Sequence, residues 1–226
     1  FWLLSLLSIG FLGLMFYQLK LRSNMQVEFA QNLIQSQEEE RTRIAKELHD
    51  SVGQQLTLIK QKAQRSQQDE VAELTNRTLE EVRSISRGLY PALLKQLGLT
   101  GSIEQLLLDV DEETDLFVSL EIEEVDAYFN DNEALNLYRF VQENVTNVMK
   151  HSQASTLAVL IEKRGNDIRV EIKDNGRGFD SAEKLKQHSL GLKTMQERIK
   201  MLKGFFTLES ERKLGTLVLA VIPLKR

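Results

Sequence analysis

The chain of 226 residues contains no cysteine and only two prolines. Without thiols, a disulfide framework, a thiolate metal site and a cysteine nucleophile are all excluded. The formal net charge of −4 gives no basic footprint of the kind that binds nucleic acid, so we expect no nucleic-acid partner. Few prolines and abundant Leu, Glu, Gln and Lys favour a largely helical chain.

Charge is also missing from the first 17 residues, FWLLSLLSIGFLGLMFY, which end shortly before Lys20 and Arg22. This run is at the short limit of a membrane span, and basic residues mark the cytoplasmic side. We therefore expect residues 1–22 to be the end of a transmembrane helix. A signal peptide and a buried core helix are the alternatives, and the basic residues follow the apolar run rather than precede it. Because the chain begins with Phe, we expect a fragment that lacks an upstream sensory part.

After the apolar run, a row of residues recurs at the spacing of a coiled-coil seam. We therefore predict that residues 23–40 form a coiled-coil connector. Two of the seam positions are polar, which predicts a loose pairing of two helices. The seam positions alternate three and four residues apart: Val27, Ala30, Ile34, Gln37, Arg41, Ile44 and Leu48.

Residues 41–92 are predicted to form a helical hairpin. The first helix continues past Gly53 to about Ala63, and RSQQDE has no apolar residue and forms the turn. A hairpin with one apolar stripe on each helix cannot bury both stripes alone, so we expect a homodimer that forms a four-helix bundle. Pro91 ends the second helix, whose stripe is Val71, Leu74, Thr78, Val82, Ile85 and Leu89.

From about Leu99 the pattern changes to strands with helices between them, and residues 98–226 are assigned to an α/β domain. VSLEIEEV, LAVLIEKR, DIRVEIKD, FFTLES and TLVLAVIP are predicted strands. DNEALNLYRFVQENVTNVMKH and GLKTMQERIKMLK are predicted helices, the first capped by Asp131 or Asn132. The fold class is thus α plus α/β, the second part a sandwich of one antiparallel-rich sheet with helices on one face.

Glu143, Asn147 and Lys150 share one face of the first of these helices, opposite an apolar face that packs on the sheet. A carboxylate, an amide and an ammonium group in line suit a hydrated Mg²⁺ ion and phosphate oxygens. The alternative is a solvated polar face without a ligand.

Glycines mark three further positions. DNGRGF follows a predicted strand that ends at Asp174, and its Gly176 and Gly178 allow close approach of a ligand or a simple turn. Gly191 precedes a helix whose amides could receive phosphate. Gly215 and Thr216 begin the last strand.

Taken in order, QENVTNVMKH, DNGRGF, SLGLKTM and LGT resemble the N, G1, G2 and G3 boxes of the Bergerat-type ATPases, which include histidine kinases, Hsp90, MutL and type II topoisomerases. The resemblance implies that residues 98–226 bind ATP and Mg²⁺. It implies that Asp174 binds the adenine amine, that Asn147 holds Mg²⁺ with support from Glu143 and Lys150, and that glycines shape a loop over the nucleotide. The implied site is completed by His151, Gly176, Gly178, Gly191, Leu192, Gly215 and Thr216.

ERTRIAKELHDSVGQQLTLI and SISRGLYPALLKQLGL resemble the phosphoacceptor hairpin of the DesK/NarX-type sensor histidine kinases. This resemblance implies that His49 is phosphorylated, that Asp50 polarises or deprotonates the ring, and that a response regulator receiver domain is the partner. Asp50 and Gln54 are four residues apart and share a helix face, and the resemblance links that pair to removal of phosphate from the regulator. Such proteins lie in the inner or plasma membrane of a prokaryote, with residues after about Lys20 in the cytoplasm.

Two departures from the family pattern concern the loop that closes over nucleotide. Thr194 stands where a second glycine is common, and the pair Lys203 and Gly204 replaces two glycines. We assign His188 to the same lid region. Two other functions stay open at this point: a Bergerat ATPase that hydrolyses ATP to change conformation, and a dimeric scaffold with a degenerate nucleotide site.

Overall fold

The computed structural model describes residues 2–89, 92–179 and 190–224. The chain divides into two compact units, Phe1–Tyr90 and Pro91–Arg226. The predicted lid residue His188 lies outside the described residues.

The first unit is a helical hairpin, as predicted. Its first arm is one continuous helix made of α1 (Trp2–Glu47), a π-helical turn (Leu48–Gly53) and α2 (Gln54–Arg65). The second arm is α3 (Asp69–Leu89). The apolar-free segment does form the turn, and Gln67 reverses the chain there with a positive φ of 53°.

The π turn shifts the packed face of the first arm by one residue. A seam that continued from the half-buried Leu48 at seven-residue spacing would turn Gln55 and Lys62 inward, but both are exposed. Leu56 and Ala63, one residue later, face inward instead, and Ala63 is 4% exposed. A π turn holds one residue more than an α-helical turn, which accounts for the shift.

The stripe predicted on α3 is only in part the face that packs within the hairpin. Ala72 and Leu79 are buried against the first arm, whereas Leu74 and Ile85 are 65% and 56% exposed. The small side chain of Ala72 lets α3 approach the first arm closely. Ala72 therefore lies on the face of α3 that packs within the hairpin. The single hairpin therefore keeps a second apolar face in contact with solvent.

Within the described residues, no helix is both long enough and apolar enough to cross a membrane. The predicted membrane segment begins with residues 1–10, whose side chains lie outside that description.

The second unit is an α/β sandwich, and the predicted fold class is confirmed. Its sheet has the order β1-β2-β3-β5-β4, in which β1 and β2 are parallel and the other neighbours are antiparallel. The described elements are α4 (Ala92–Glu113), β1 (Phe117–Ile122), a 3₁₀ turn (Asp126–Tyr128), α5 (Asp131–Asn147), a second π turn (Val148–Ser152), β2 (Thr156–Arg164), β3 (Asp167–Asp174), α6 (Leu190–Met201), β4 (Phe205–Glu211) and β5 (Gly215–Pro223).

The inward-facing side chains of the strands and of the helices form one hydrophobic core. Val159, Val170 and Ala220 from the middle strands point to the same side of the sheet, where Phe140 of α5 and Ile199 of α6 are fully buried. The sheet and helices therefore form two layers. β1 is shorter than predicted and ends at Ile122 rather than Val125.

Helix α4 is the element that the sequence pattern did not reveal. It carries Ile103 and Leu107 into the core, but Gly98 interrupts it with a φ of 73°. The Asp126 carboxylate accepts hydrogen bonds from the backbone N–H of Leu99 at 2.5 Å and of Thr100 at 3.0 Å. The carboxylate thus caps the helix where it resumes after the glycine.

The cap of α5 differs from the prediction by one residue. Asn130, not Asp131 or Asn132, is the N-cap, and its Oδ1 accepts from the N–H of Glu133 at 3.0 Å. The Glu133 carboxylate in return accepts from the N–H of Asn130 at 3.0 Å. This capping box fixes where the helix that carries Glu143 begins.

Candidate functional site

A pocket of about 860 Å³ opens in the second unit between α5, the end of β3, α6 and the β4–β5 hairpin. This volume is in the range of small-molecule sites. Met195, Leu208 and Val218 contribute apolar walls, and Met195 is only 1% exposed. Apolar walls of this kind suit a flat heterocycle.

Asp174 is a buried acidic residue of the pocket. The residue is 5% exposed, and its Oδ1 accepts a hydrogen bond from the backbone N–H of Gly176 at 2.8 Å. Burial raises the pKa of Asp174, against hydrogen bonds from Gly176 and Thr216 that act to lower it. A carboxylate that is costly to bury and lines a pocket is suited to accept a hydrogen bond from a ligand amine.

Helix α5 supplies the opposite wall. Val141 and Val145 are buried in the core as the sequence predicts, and both Glu143 and Asn147 line the pocket. Lys150 is exposed and is absent from the described lining residues. The helix changes to a π turn at Val148–Ser152, so the three-residue step to Lys150 no longer follows α-helical geometry.

Residues of that π turn on both sides of Lys150 line the pocket, with Val148 before it and His151 after it. His151 and Ser152 line the pocket together with Asn144, whose side-chain amide donates to the Phe140 carbonyl at 2.7 Å. His151 thus lies at the pocket.

The glycines of DNGRGF pack against the protein's own backbone. Gly176 lies against the Ser152 carbonyl, and a side chain at Gly178 would overlap the Glu211 carbonyl. Gly178 also has a φ of 56°, in the region that favours glycine. Their close approach is therefore to the second π turn and to the β4–β5 hairpin, while Gly178 also lines the pocket.

Hydrogen bonds to two neighbouring segments fix the backbone of the DNGRGF loop. The Arg177 N–H donates to the Ser152 carbonyl at 2.7 Å, and the Lys213 N–H donates to the Arg177 carbonyl at 2.7 Å. The Asn175 side chain accepts from the N–H groups of Ser155 and Thr156, each at 2.9 Å. These bonds orient Asp174 toward the pocket and Asn175 away from it.

Gly191 brings the start of α6 against Glu143. A methyl group at Gly191 would lie 2.7 Å from the Glu143 Oε1 atom. Gly191 and Leu192 both line the pocket, and the Glu143 carboxylate lies at the positive end of this helix.

Gly215 and Thr216 differ in their contact with the pocket. Thr216 lines the pocket, whereas Gly215, with a φ of 87°, packs against the Asp174 carbonyl and is absent from the described lining residues. Lys203, in the predicted departure from a glycine pair, adopts the left-handed φ of 58° that glycine would favour.

The sequence interpretation missed three cations of the pocket wall, Arg177, Arg212 and Lys213. Arg177 lies inside the DNGRG motif itself, so attention to the residue between the two glycines would have found it. Arg212 and Lys213 belong to the β4–β5 turn, which reaches the pocket only because that hairpin folds beside β3.

The first unit presents His49 within the π turn. His49, Asp50 and Gln54 are exposed, and Leu48 beside them is half-buried. His49 and Gln54 line one groove of about 390 Å³. Hydrogen bonds in a π turn join residues five apart, so the turn brings these two side chains to the same side of the helix.

Comparison with known families identifies two matching regions. Residues 40–94 match the HisKA_3 family, described as histidine kinase. Residues 132–226 match the HATPase_c family, described as histidine kinase-, DNA gyrase B-, and HSP90-like ATPase.

Curated relatives match across both regions. The chain is 33% identical to the signal transduction histidine-protein kinase/phosphatase DegS of Brevibacillus brevis over 210 residues, which are 87% of this chain and 54% of that protein. It is 31% identical to the sensor histidine kinase MctS of Rhizobium johnstonii over 225 residues, 93% of this chain and 49% of that protein. The chain spans about half the length of the curated relatives it matches.

Among solved structures, the histidine kinase domain from the Erythrobacter litoralis EL346 blue-light activated histidine kinase has a similar fold. The TM-score is 0.55 at 16% identity, and the match covers 77% of this chain and 96% of that one. At this identity the likeness concerns the fold alone.

Proposed function

Because the chain belongs to the histidine kinases that carry HisKA_3 and HATPase_c domains, we propose that it uses ATP to phosphorylate its own His49. One observation carries the proposal: an exposed imidazole on the hairpin accompanies a pocket with a buried carboxylate in the α/β unit. A scaffold without catalysis would need neither of them.

The pocket fits ATP by its size and by the chemistry of its lining. Apolar walls at Met195 and Leu208 suit the purine, and the Asp174 carboxylate accepts a hydrogen bond from its amine. Arg177 and Lys213 add positive charge to a pocket that would receive phosphates.

Glu143 and Asn147 line the pocket from successive turns of α5 and would supply two oxygen ligands to Mg²⁺. Within the described residues, no group of three or more His, Asp or Glu side chains could hold a metal by itself. Mg²⁺ commonly binds through one or two protein oxygens, phosphates and water. The ion would neutralise charge on the phosphates when bound.

His49 acts as the nucleophile toward the terminal phosphoryl group. A neutral imidazole is competent near pH 7, and positioning with charge neutralisation supplies most of the catalysis of phosphoryl transfer. Asp50 neighbours His49 on the exposed surface and would polarise the ring or take its proton.

A receiver-domain aspartate of a response regulator is the proposed final acceptor, as the family implies. Gln54 lies in the groove beside His49, where its amide can orient a water molecule for removal of phosphate from the regulator. The chain would then act as kinase and phosphatase on one partner.

Homodimerisation is supported by the apolar face that the single hairpin leaves in solvent. Leu58, Leu74 and Ile85 are 64%, 65% and 56% exposed. A second hairpin that covers these side chains would complete a four-helix bundle, because large apolar residues are stabilised by burial.

We also propose that residues 1–22 anchor the protein in a prokaryotic inner or plasma membrane, with the kinase units in the cytoplasm. The exposed side chains of Phe11, Leu14 and Phe16 on α1 support this anchor, as does the basic pair Lys20 and Arg22 that follows.

Incubation with ATP labelled at the γ-phosphate tests the proposed function. The wild type should acquire label that is lost in acid and retained in base, which is the behaviour of phosphohistidine. His49→Ala should bind ATP normally and acquire no label. Persistent labelling of His49→Ala would identify another acceptor, and ATP hydrolysis without labelled protein would identify an ATPase.

A further inference from the structure

The groove beside His49 has one permanent cation among the described residues that line it. Leu79 and Val82 of α3 form its apolar floor, and Arg83 follows them on the same helix. His49 and Gln54 line the groove from the first arm. A guanidinium group and the proposed phosphate acceptor therefore lie at one concave surface.

The register of the hairpin places His49 and Arg83 at the same level. The Ser86 hydroxyl donates to the Ala45 carbonyl at 3.1 Å, which aligns these two residues across the hairpin. His49 lies four residues after Ala45, a rise of about 6 Å, and Arg83 lies three residues before Ser86, about 4.5 Å. Because the arms are antiparallel, both displacements run in the same direction.

Arg83 is free to redirect its guanidinium toward an anion. The side chain is 50% exposed, and its Nη1 atom lies 2.7 Å from the Glu80 Oε1 atom. In the described part of the chain, Glu80 is the one hydrogen-bond partner of a group that has five N–H donors. An exposed ion pair of this kind contributes at most about 1 kcal/mol, so a phosphoryl group competes with it effectively.

A cation at the accepting side can also stabilise the phosphoryl group during transfer. The transferred group carries negative charge over three equatorial oxygens, and a neutral imidazole does not neutralise it. The aligned position of Arg83 would let its guanidinium contact these oxygens while the bond to His49 forms.

We propose that Arg83 is a catalytic residue that contacts the phosphoryl group on His49, an inference that rests on the proposed function of His49 as acceptor. A ring nitrogen of His49 forms the bond to phosphorus, and the bond from phosphorus to the bridging oxygen breaks. ADP leaves with that electron pair, and the proton of the other ring nitrogen is released to a base or solvent. Arg83 stays charged throughout.

Substitutions that keep the aliphatic stem of Arg83 test this role in the full chain. Arg83→Gln removes the charge, and Arg83→Lys retains it. Glu80→Gln removes the ion pair but keeps the guanidinium. Arg77→Gln is the matched control, because Arg77 also lies exposed on α3 in an ion pair with Glu73 and is absent from the described groove lining.

Initial rates of label transfer from γ-labelled ATP, measured over a range of ATP concentrations, separate kcat from KM. We expect Arg83→Gln to lower kcat roughly tenfold with KM unchanged, less than an enclosed oxyanion donor because Arg83 is half-exposed. Arg83→Lys should recover at least a third of the wild-type rate. Glu80→Gln and Arg77→Gln should stay within twofold of the wild type.

Two results would overturn the role of Arg83. One is an Arg83→Gln rate equal to that of Arg77→Gln, and the other is a Glu80→Gln rate as low as that of Arg83→Gln. The second result would mean that the ion pair merely supports the helix. Label retained by His49→Ala would contradict the proposed acceptor instead, so the two failures are distinguishable.

Discussion

The carboxylate of Asp174 accepts a hydrogen bond from the backbone N–H of Gly176, two residues later, at 2.8 Å. This bond forms at the end of β3, where the residue is 5% exposed. The loop thereby holds a carboxylate in the pocket although burial raises its pKa. A group that is unfavourable for stability but suited to a ligand is typical of a functional site.

Asp174→Asn should stabilise the fold and weaken nucleotide binding. The raised pKa of Asp174 means that the ionised carboxylate destabilises the native state above that pKa, and that this cost vanishes below the unfolded value of 3.8. The variant should therefore melt at a higher temperature than the wild type at pH 7, and the difference should shrink toward pH 4.

ATP affinity of Asp174→Asn should fall about 10- to 100-fold, the loss expected for a hydrogen bond to a charged group. Calorimetric titration and thermal melts measure both effects. Asp167→Asn, at the other end of β3, is the control. An Asp174→Asn protein that is less stable and binds ATP normally would contradict both parts.

Gln54→Ala should separate two activities of the hairpin. Autophosphorylation should stay within about twofold of the wild type, because Gln54 does not form the bond to phosphorus. Removal of phosphate from a labelled receiver domain should fall about 10- to 100-fold, as expected for loss of a group that orients water. Gln55→Ala is the matched control, since Gln55 is the exposed next residue and is absent from the described groove lining. Equal loss of both activities in Gln54→Ala would refute this division.

Gly178→Ala should be much more harmful than Gly165→Ala. Both glycines have a positive φ, 56° and 62°, so the added methyl group meets similar backbone strain of about 1 kcal/mol. At Gly165 nothing lies within 4 Å of it, whereas at Gly178 it overlaps the Glu211 carbonyl.

We expect the free energy of unfolding to fall by about 1–3 kcal/mol more in Gly178→Ala than in Gly165→Ala. Denaturant titration measures the difference, and ATP titration should show weaker binding only for Gly178→Ala. Indistinguishable denaturation midpoints would mean that the loop moves away from the hairpin at little cost.

Asp126→Asn should destabilise the second unit by about 1–2 kcal/mol, because its amide keeps one oxygen acceptor for Leu99 but puts an NH2 group, which cannot accept, against the N–H of Thr100. Partial burial acts to raise the pKa of Asp126, but hydrogen bonds from Thr100 and Leu99 outweigh it and lower the pKa. The stabilisation is therefore present above the unfolded value of 3.8 and is lost as the pH falls through the lower folded pKa.

Chemical denaturation of Asp126→Asn at pH 7 and near pH 3.5 tests the cap. The difference from the wild type should shrink at the lower pH. Glu112→Gln, a charge-neutralising change on the exposed face of the same helix, should be nearly neutral. If Glu112→Gln lowered the free energy of unfolding as much as Asp126→Asn does, the cause would be net charge rather than capping.

Spacing within single segments predicted several residues of the pocket. The four-residue step between Glu143 and Asn147 puts both on one helix face, and both line the pocket. The same reasoning placed Lys150 with them, but the π turn interrupts the α-helical period at Val148. A propensity pattern does not reveal a change from four- to five-residue hydrogen bonding.

Helix α4 shows a related limit. Its apolar residues Ile103 and Leu107 lie in the core, yet Gly98 breaks the period at its start. The cap that restarts the helix comes from Asp126, which is distant in sequence. No local pattern could connect the two.

From its residues alone, the chain determined the helical hairpin, the strands of the sandwich, and the shared helix face of Glu143 and Asn147. Periodicity suffices for these features because burial of one face is a local property. Tertiary structure alone decided that Arg83 lies level with His49 and that the glycines of DNGRGF pack on Ser152 and the β4–β5 hairpin. Such relationships depend on how separate segments align, which the spacing of residues within one segment does not specify.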